Sequence, residues 1–197
     1  MEKKFQEEWF NLQAEAREIL RRGFPGAPRD QRLFQFLVLP SFDSSRCWEL
    51  YERKVAKGNV ELIAVTAIWH IRNDVEKFDP LARLKYPETL TPTIASIAGR
   101  IEEALALKVM EELSGISISP QPGKAGIYLD GTGYELTLGA GNDSSRFEWH
   151  DEGPSHWETL RNWAIETASK LENALRSSVS DNTSPLREGT KVAGDSK

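Results

Sequence analysis

Two long apolar runs constrain the middle of this fold more than any motif does. Leu33–Leu39 is aliphatic or aromatic at every position except Gln35 and stops at Pro40. A run of that kind, closed by a residue with no N–H, reads as a strand buried on both faces. The second run, Val60–Ile71, is broken only by Glu61, Thr66 and His70. A membrane-spanning helix needs about 20 apolar residues, so this shorter run is predicted to be the central strand. Between the two, Arg46–Val55 alternates, with Cys47, Tyr51 and Val55 on one face and Trp48 and Leu50 on the other. Lys57-Gly58-Asn59 then supplies a tight hairpin.

The flanks read as helices and a second set of strands. Phe5, Trp9, Leu12, Ala16, Ile19 and Leu20 recur at helical steps and predict a helix over 3–21, stopped by Gly23 and followed by the rigid connector Phe24–Pro28. Arg72–Pro92 contains Pro80, Pro87 and Pro92 and reads as a long loop. Thr91 as N-cap and Pro92 at the first helical position then announce a helix of about 20 residues carrying Ile94, Ile97, Ile101, Leu105, Val109 and Leu113, closed by Ser114-Gly115. After Pro120–Gly123 a meander is expected. Gly126–Leu129 pairs with Tyr134–Leu138 through Asp130–Gly133, and Gly139–Asp143 turns into Arg146–His150. A last helix, Ser155–Leu175, opens with the capping box Ser155-x-x-Glu158. Hairpins rather than βαβ crossovers imply α+β architecture, a mainly antiparallel sheet of about six strands flanked by three helices. The echo of Asp43–Arg46 in Asp143–Arg146 would fit a duplication, but the flanking residues do not align and chance is the better reading.

At 197 residues the chain suits a single domain, expected over 1–176. Ser177–Lys197 has only Val179, Leu186 and Val192 as large aliphatic anchors and is expected to be a disordered tail. With 25 Lys+Arg against 30 Asp+Glu the net charge is −5, which argues against a general nucleic-acid binder. Met1–Phe10 lacks the apolar core of a secretory signal, and the single cysteine, Cys47, excludes an internal disulfide. The cytoplasm is therefore the expected compartment, with no membrane partner.

Few residues nominate chemistry. His150, Asp151, Glu152 and His156 form the densest group of metal-ligand side chains. Gly153-Pro154 separates the two imidazoles, however, so no helix face fixes them as H-E-x-x-H would. The competing reading is a solvated turn whose acids favour the following helix dipole, and no metal or cofactor is expected. His70 with Asp74 offers the minimum for general-base work, without a framed nucleophile. Cys47, mid-strand beside Trp48, reads as a small buried hydrophobe. Gly123–Gly126 and Gly131–Gly133 lack the strand-to-helix setting of a phosphate cradle. Of the six tryptophans, Trp163 falls beside the stripe of the last helix and is the expected exposed aromatic, an interface candidate.

The segments Leu129-Asp130-Gly131-Thr132-Gly133-Tyr134-Glu135-Leu136, Arg146-Phe147-Glu148-Trp149 and Gly153-Pro154-Ser155-His156-Trp157-Glu158-Thr159-Leu160 together carry a resemblance. This pattern, D-G-x-x-Y-x-L, a strand ending in Trp and a P-x-x-W-x-x-L helix, resembles the tail of uncharacterised bacterial proteins, some of them candidate immunity proteins. It covers the last third of the ordered chain. The resemblance implies a bacterial, non-enzymatic module that binds another protein. The alternative is a small metal-dependent or acid–base enzyme using His150, Asp151, Glu152 and His156. In purely physical terms the same residues predict a staple, with Trp149 packing on Trp157 across the Pro154 corner.

Overall fold

The computed structural model describes residues 2–23, 31–55, 59–77, 90–118 and 131–181. In chain order the elements are α1 (Glu2–Arg22), β1 (Arg32–Pro40), β2 (Arg46–Lys54), β3 (Val60–Trp69), α2 (Ile71–Glu76), β4 (Ile94–Arg100), α3 (Glu103–Ser114), β5 (Thr132–Leu138), β6 (Ser145–His150) and α4 (Glu158–Asp181). The six strands form one antiparallel sheet in the order β4-β3-β2-β1-β5-β6. This is the α+β architecture expected.

Strand alternation sorts the side chains into two layers. Phe34 and Phe36 of β1, Trp48 and Leu50 of β2, Ala64 of β3 and Leu136 of β5 meet Val109 of α3 and Leu160, Leu171 and Leu175 of α4. On the opposite face Leu37, Leu39, Cys47 and Trp69 meet Leu12, Ala16 and Leu20 of α1. Trp9 begins this second layer, its ring 6.0 Å from that of Trp69. β1 serves both cores along most of its length, with Phe34 and Phe36 on one face and Leu37 and Leu39 on the other, which is why its sequence is apolar on both faces. β3 is interior but lies one place from the sheet's end, so the central role expected for Val60–Ile71 belongs to β2 and β1.

The corner after β6 is a stack of rings. Tyr134 and Trp149, directly opposite in the β5–β6 register, stack at 5.4 Å, and Phe36 stacks on Trp149 at 6.1 Å. Trp157 meets Trp149 edge-on at 6.4 Å and Phe147 at 5.5 Å, so the expected staple is present. The chain turns tightly beneath it. Gly153 has φ +61°, and a Cβ there would stand 2.8 Å from the Trp149 ring. The buried indole N–H of Trp149 has no hydrogen-bond partner among the described residues, so ring packing alone holds it.

Several expectations need correction. The proposed helix over Ile94–Leu113 is two elements, β4 and then α3. Ile94, Ile97 and Ile101 sit at helical spacing, but β-branched side chains and Gly99 favour an extended backbone, and the open edge of β3 offers every residue from Ile94 to Arg100 a ladder partner. Thr91-Pro92 accordingly precedes a strand rather than capping a helix. The capping box is also not made: Ser155–Trp157 is a 3-10 turn with Pro154 at its cap position and no side-chain cap hydrogen bond, and α4 begins at Glu158. The reading of Trp163 is overturned as well: three residues after Leu160 and next to Ala164, it falls on the buried stripe of α4 itself. Its ring is buried, packs edge-on to Phe34 at 5.5 Å, and donates its indole N–H to the Val109 carbonyl at 3.1 Å. Trp163 is core, not interface.

The short helix α2 interrupts the loop expected from Arg72. α4 continues to Asp181, past the expected start of the tail at Ser177; residues 182–197 lie outside the described residues, as do the connector Phe24–Pro28, the hairpin tip Lys57-Gly58 and the expected strand Gly126–Leu129. β5 instead pairs with β1 and β6.

The ring stack generates a stability prediction. Trp149→Ala is expected to cost about 3–5 kcal/mol, the range for a buried large aromatic. Trp157→Ala, whose ring is only partly covered, is expected to cost about 1–3 kcal/mol. Urea denaturation measures both, and a Trp149→Ala protein within about 0.5 kcal/mol of wild type would show that the corner is held by something else.

Candidate functional site

The nominated group at the β6–α4 corner is dispersed by the turn that carries it. The His150 imidazole lies over Gly133, with Cε1 3.4 Å from where a Gly133 Cβ would stand. Asp151 has φ +48° and turns its carboxylate to the opposite hairpin, where Oδ1 accepts the Thr132 N–H at 2.9 Å. Its own N–H donates to the Thr132 carbonyl at 2.8 Å. His156 sits against Trp157, ring centres 5.9 Å apart. Glu152 is exposed in the turn. Among the described residues no group of three or more His, Cys, Asp or Glu side chains converges as metal ligands do. Asp151 thus acts as a hairpin lock.

The His70–Asp74 pair is also resolved differently. Asp74 is completely buried. Its Oδ1 accepts Lys77 Nζ at 2.7 Å and the Thr93 hydroxyl at 2.6 Å, while Oδ2 accepts the Trp69 indole N–H at 2.7 Å and the Thr93 N–H at 2.8 Å. Four donors occupy the carboxylate, none of them from His70. Burial pushes the Asp74 carboxyl up, but the bonds from Lys77, Thr93 and Trp69 outweigh it and hold the group below the usual carboxylate range. The aspartate ties the end of β3, α2 and the start of β4 into one knot. Cys47, beneath α1, is buried, and desolvation followed by the nearby Glu49 charge raises its thiol pKa well above the ordinary value. Such a thiol is not a nucleophile.

The dense polar chemistry lies on the α1 side of the sheet. Gln35, the lone polar residue of β1's apolar run, donates Nε2 to the Leu20 and Arg21 carbonyls at the end of α1, both at 3.1 Å, and to Glu49 Oε1 at 2.8 Å. Those carbonyls belong to the helix turn that lacks intrahelical donors. Arg32 approaches Glu49 at 3.5 Å. The Tyr51 hydroxyl lies in the same pocket, and burial, then the Glu49 charge, raise its pKa far above the ordinary phenol value. Gly23, at φ +83°, closes the pocket; a Cβ there would stand 2.6 Å from Glu49 Oε1 and 2.9 Å from the Tyr51 hydroxyl.

Next to this pocket the same sheet face becomes an open shelf. In the β5–β6 register Glu135 is opposite Glu148, Thr137 opposite Arg146 and Gly133 opposite His150, so all six positions share the α1 side. Glu135 is buried and accepts Arg21 through Nε at 2.9 Å and Nη2 at 2.5 Å, and Arg146 Nη2 at 2.8 Å. Arg146 also reaches the exposed Glu148 at 2.7 Å. Burial raises the Glu135 carboxyl pKa, but the two guanidiniums, Arg21 above all, overcome this and leave it depressed. Arg17, one turn before Arg21, takes no part in these bonds. Its Nε–H is buried with no partner among the described residues. Desolvation first, then the Arg21 charge, weaken the hold of Arg17 on its proton, with Glu135 opposing. The arrangement is a carboxylate filled by two guanidiniums, with a third, Arg17, near enough to feel its charge but making no hydrogen bond to it among the described residues. Sequence reading sought imidazoles and missed it. The available signal was Glu135 between Tyr134 and Leu136, a charge at an inward position of a strand.

Because both Asp74 and Glu135 have lowered pKa values in the fold, each stabilises it above the ordinary carboxylate pKa, and that contribution disappears as pH falls through the depressed value. Unfolding free energy is therefore expected to fall as pH is lowered through and below about 4. Asp74→Asn should lower stability at neutral pH and flatten this acid limb. Retention of the full wild-type slope by that variant would contradict the ionised knot. Comparison of the chain with protein-family models, with curated proteins and with solved structures returns no match, so the functional reading rests on this geometry.

Proposed function

We propose that this protein is a non-enzymatic binding module whose partner is another protein, engaged through the charged shelf over β5 and β6. The observation that carries the reading is the partly exposed Arg17 side chain, which makes no ion pair among the described residues, beside a carboxylate already filled by Arg21 and Arg146. The Nε–H of Arg17 is buried, but the side chain is partly exposed, so its charge is open to a carboxylate from outside. Arg146, Glu148 and His150 are exposed around it, so an incoming surface meets fixed charges of both signs, which suits selection of one partner over others. The partner surface is acidic where it faces Arg17. The polar groups that nominated an enzyme are instead used in turns and knots, which supports the same reading. The resemblance of the C-terminal third to bacterial proteins that include candidate immunity proteins agrees with it, and a bacterial cytoplasm is the compartment we assign.

Arg17→Gln tests the proposal. Immobilised full-length protein is used to capture partners from a lysate of its source cells, with Arg176→Gln on the far helix as control. A partner retained by wild type and by the control should bind Arg17→Gln about tenfold more weakly, near 1.4 kcal/mol, with an unchanged Tm. Its retention should also weaken as salt rises. Equal retention by Arg17→Gln would remove the shelf from the interface.

A further inference from the structure

The sheet ends in two strands of opposite character. β6 exposes Arg146, Glu148 and His150 along its length, and charges of this kind discourage a further strand from pairing. β4 reads Ile-Ala-Ser-Ile-Ala-Gly-Arg, uncharged until its last residue, and that residue, Arg100, is already bound to Glu61 of β3. Among the described residues no strand pairs with the outer edge of β4. Ile97, at its midpoint, is 49% exposed. The β3–β4 register puts Gly99 opposite Ala64 and Ile97 opposite Thr66, so both are on the α4 side. The Leu175 side chain and the Ser178 hydroxyl of α4 lie over Gly99, 3.0 and 3.3 Å from where a Cβ would stand.

We propose that β4 pairs antiparallel with β4 of a second copy of this chain, about a two-fold axis through Ile97. That axis sets Ile94 against Arg100, Ala95 against Gly99, Ser96 against Ala98 and Ile97 against itself. The strand is complementary to itself in this register. Its one charge faces an aliphatic side chain and is neutralised from β3, the small residues meet small residues, and the two half-exposed Ile97 side chains share one face with Cβ atoms about 4.5–5.5 Å apart. The contact is isologous and closed, using up both open edges at once. The joined sheet would then have twelve strands, twice the six of one copy, and would end on both sides in the charged strand β6. A single strand pair is small beside stable interfaces, so the dimer is expected to dissociate in the micromolar range. The inference is independent of the shelf, which lies toward the opposite edge.

Sedimentation equilibrium of the full chain from about 1 to 500 μM, bracketing that range, tests the association. A reversible monomer–dimer equilibrium is expected, abolished in Ile97→Lys, which sets two ammonium groups face to face while leaving the circular dichroism spectrum unchanged. The register is tested by Ile97→Cys. The natural Cys47 is buried, so oxidation should give a covalent dimer through position 97 at least tenfold faster than through Leu107→Cys, at a site on α3 that is more exposed than Ile97. A wild-type chain that stays monomeric throughout, or equal cross-linking of the two cysteine variants, would overturn the proposal.

Discussion

Gln35 is the residue on which the seating of α1 depends. One side-chain amide closes the end of a helix through two carbonyls and, on the same nitrogen, binds a buried carboxylate of the neighbouring strand. Each of those groups would be costly to bury alone. Together they form a closed set, and the set dictates much of what surrounds it. Glu49 is tolerable in the interior because Gln35 and Arg32 face it. The backbone must leave α1 through a left-handed residue, and Gly23 stands there because Glu49 and Tyr51 leave no room for a side chain. With the helix end fixed, Arg21 is one turn from the sheet and reaches Glu135. A single polar interruption of an apolar run thus aligns a helix, a buried acid and the open shelf.

How much of this was legible depends on the length scale of each signal. The strands β1, β2, β3, β5 and β6 were readable because alternation and apolar runs are local and match the period of the backbone. The Trp149–Trp157 corner was readable because Gly153, Pro154 and two aromatics bring their own geometry within nine residues. β4 was not. Ile94, Ile97 and Ile101 satisfy a helical period as well as a strand allows, and the choice was made by β3, some thirty residues earlier in the chain, whose edge needed covering. Trp163 failed for another reason: the buried stripe of α4 is wider than its aliphatic residues alone mark, and it takes in Trp163 and Thr167 beside Leu160, Ala164, Ala168 and Leu171.

The polar chemistry was misjudged in a consistent direction. Reading by residue type favours histidine and cysteine, whereas the fold used its buried acids. Gln35, Glu49 and Glu135 occupy inward positions on three adjacent strands, all facing α1. Seen singly each resembles a flaw in an apolar strand, and only the register makes them one surface. Asp74 is the same case at the other end of α1. It was paired with His70 by proximity in sequence, yet its partners are Trp69, Lys77 and Thr93, the last of them brought in by the β3–β4 ladder.

The position of Cys47 gives the molecule a clock. Its sulfur is packed beneath α1 with Leu12, Ala16 and Leu20, and it is the chain's sole thiol. A water-soluble disulfide reagent can therefore report on one event only, the lifting of α1 from the sheet, with no second site to confuse the trace. Where opening and reclosing are fast beside labelling, the labelling rate reports the fraction of time the helix is off its seat, and comparing the free energy so obtained with that of complete unfolding separates local detachment from global collapse. The helix that Gln35 fastens is in this way also the lid over the chain's single thiol.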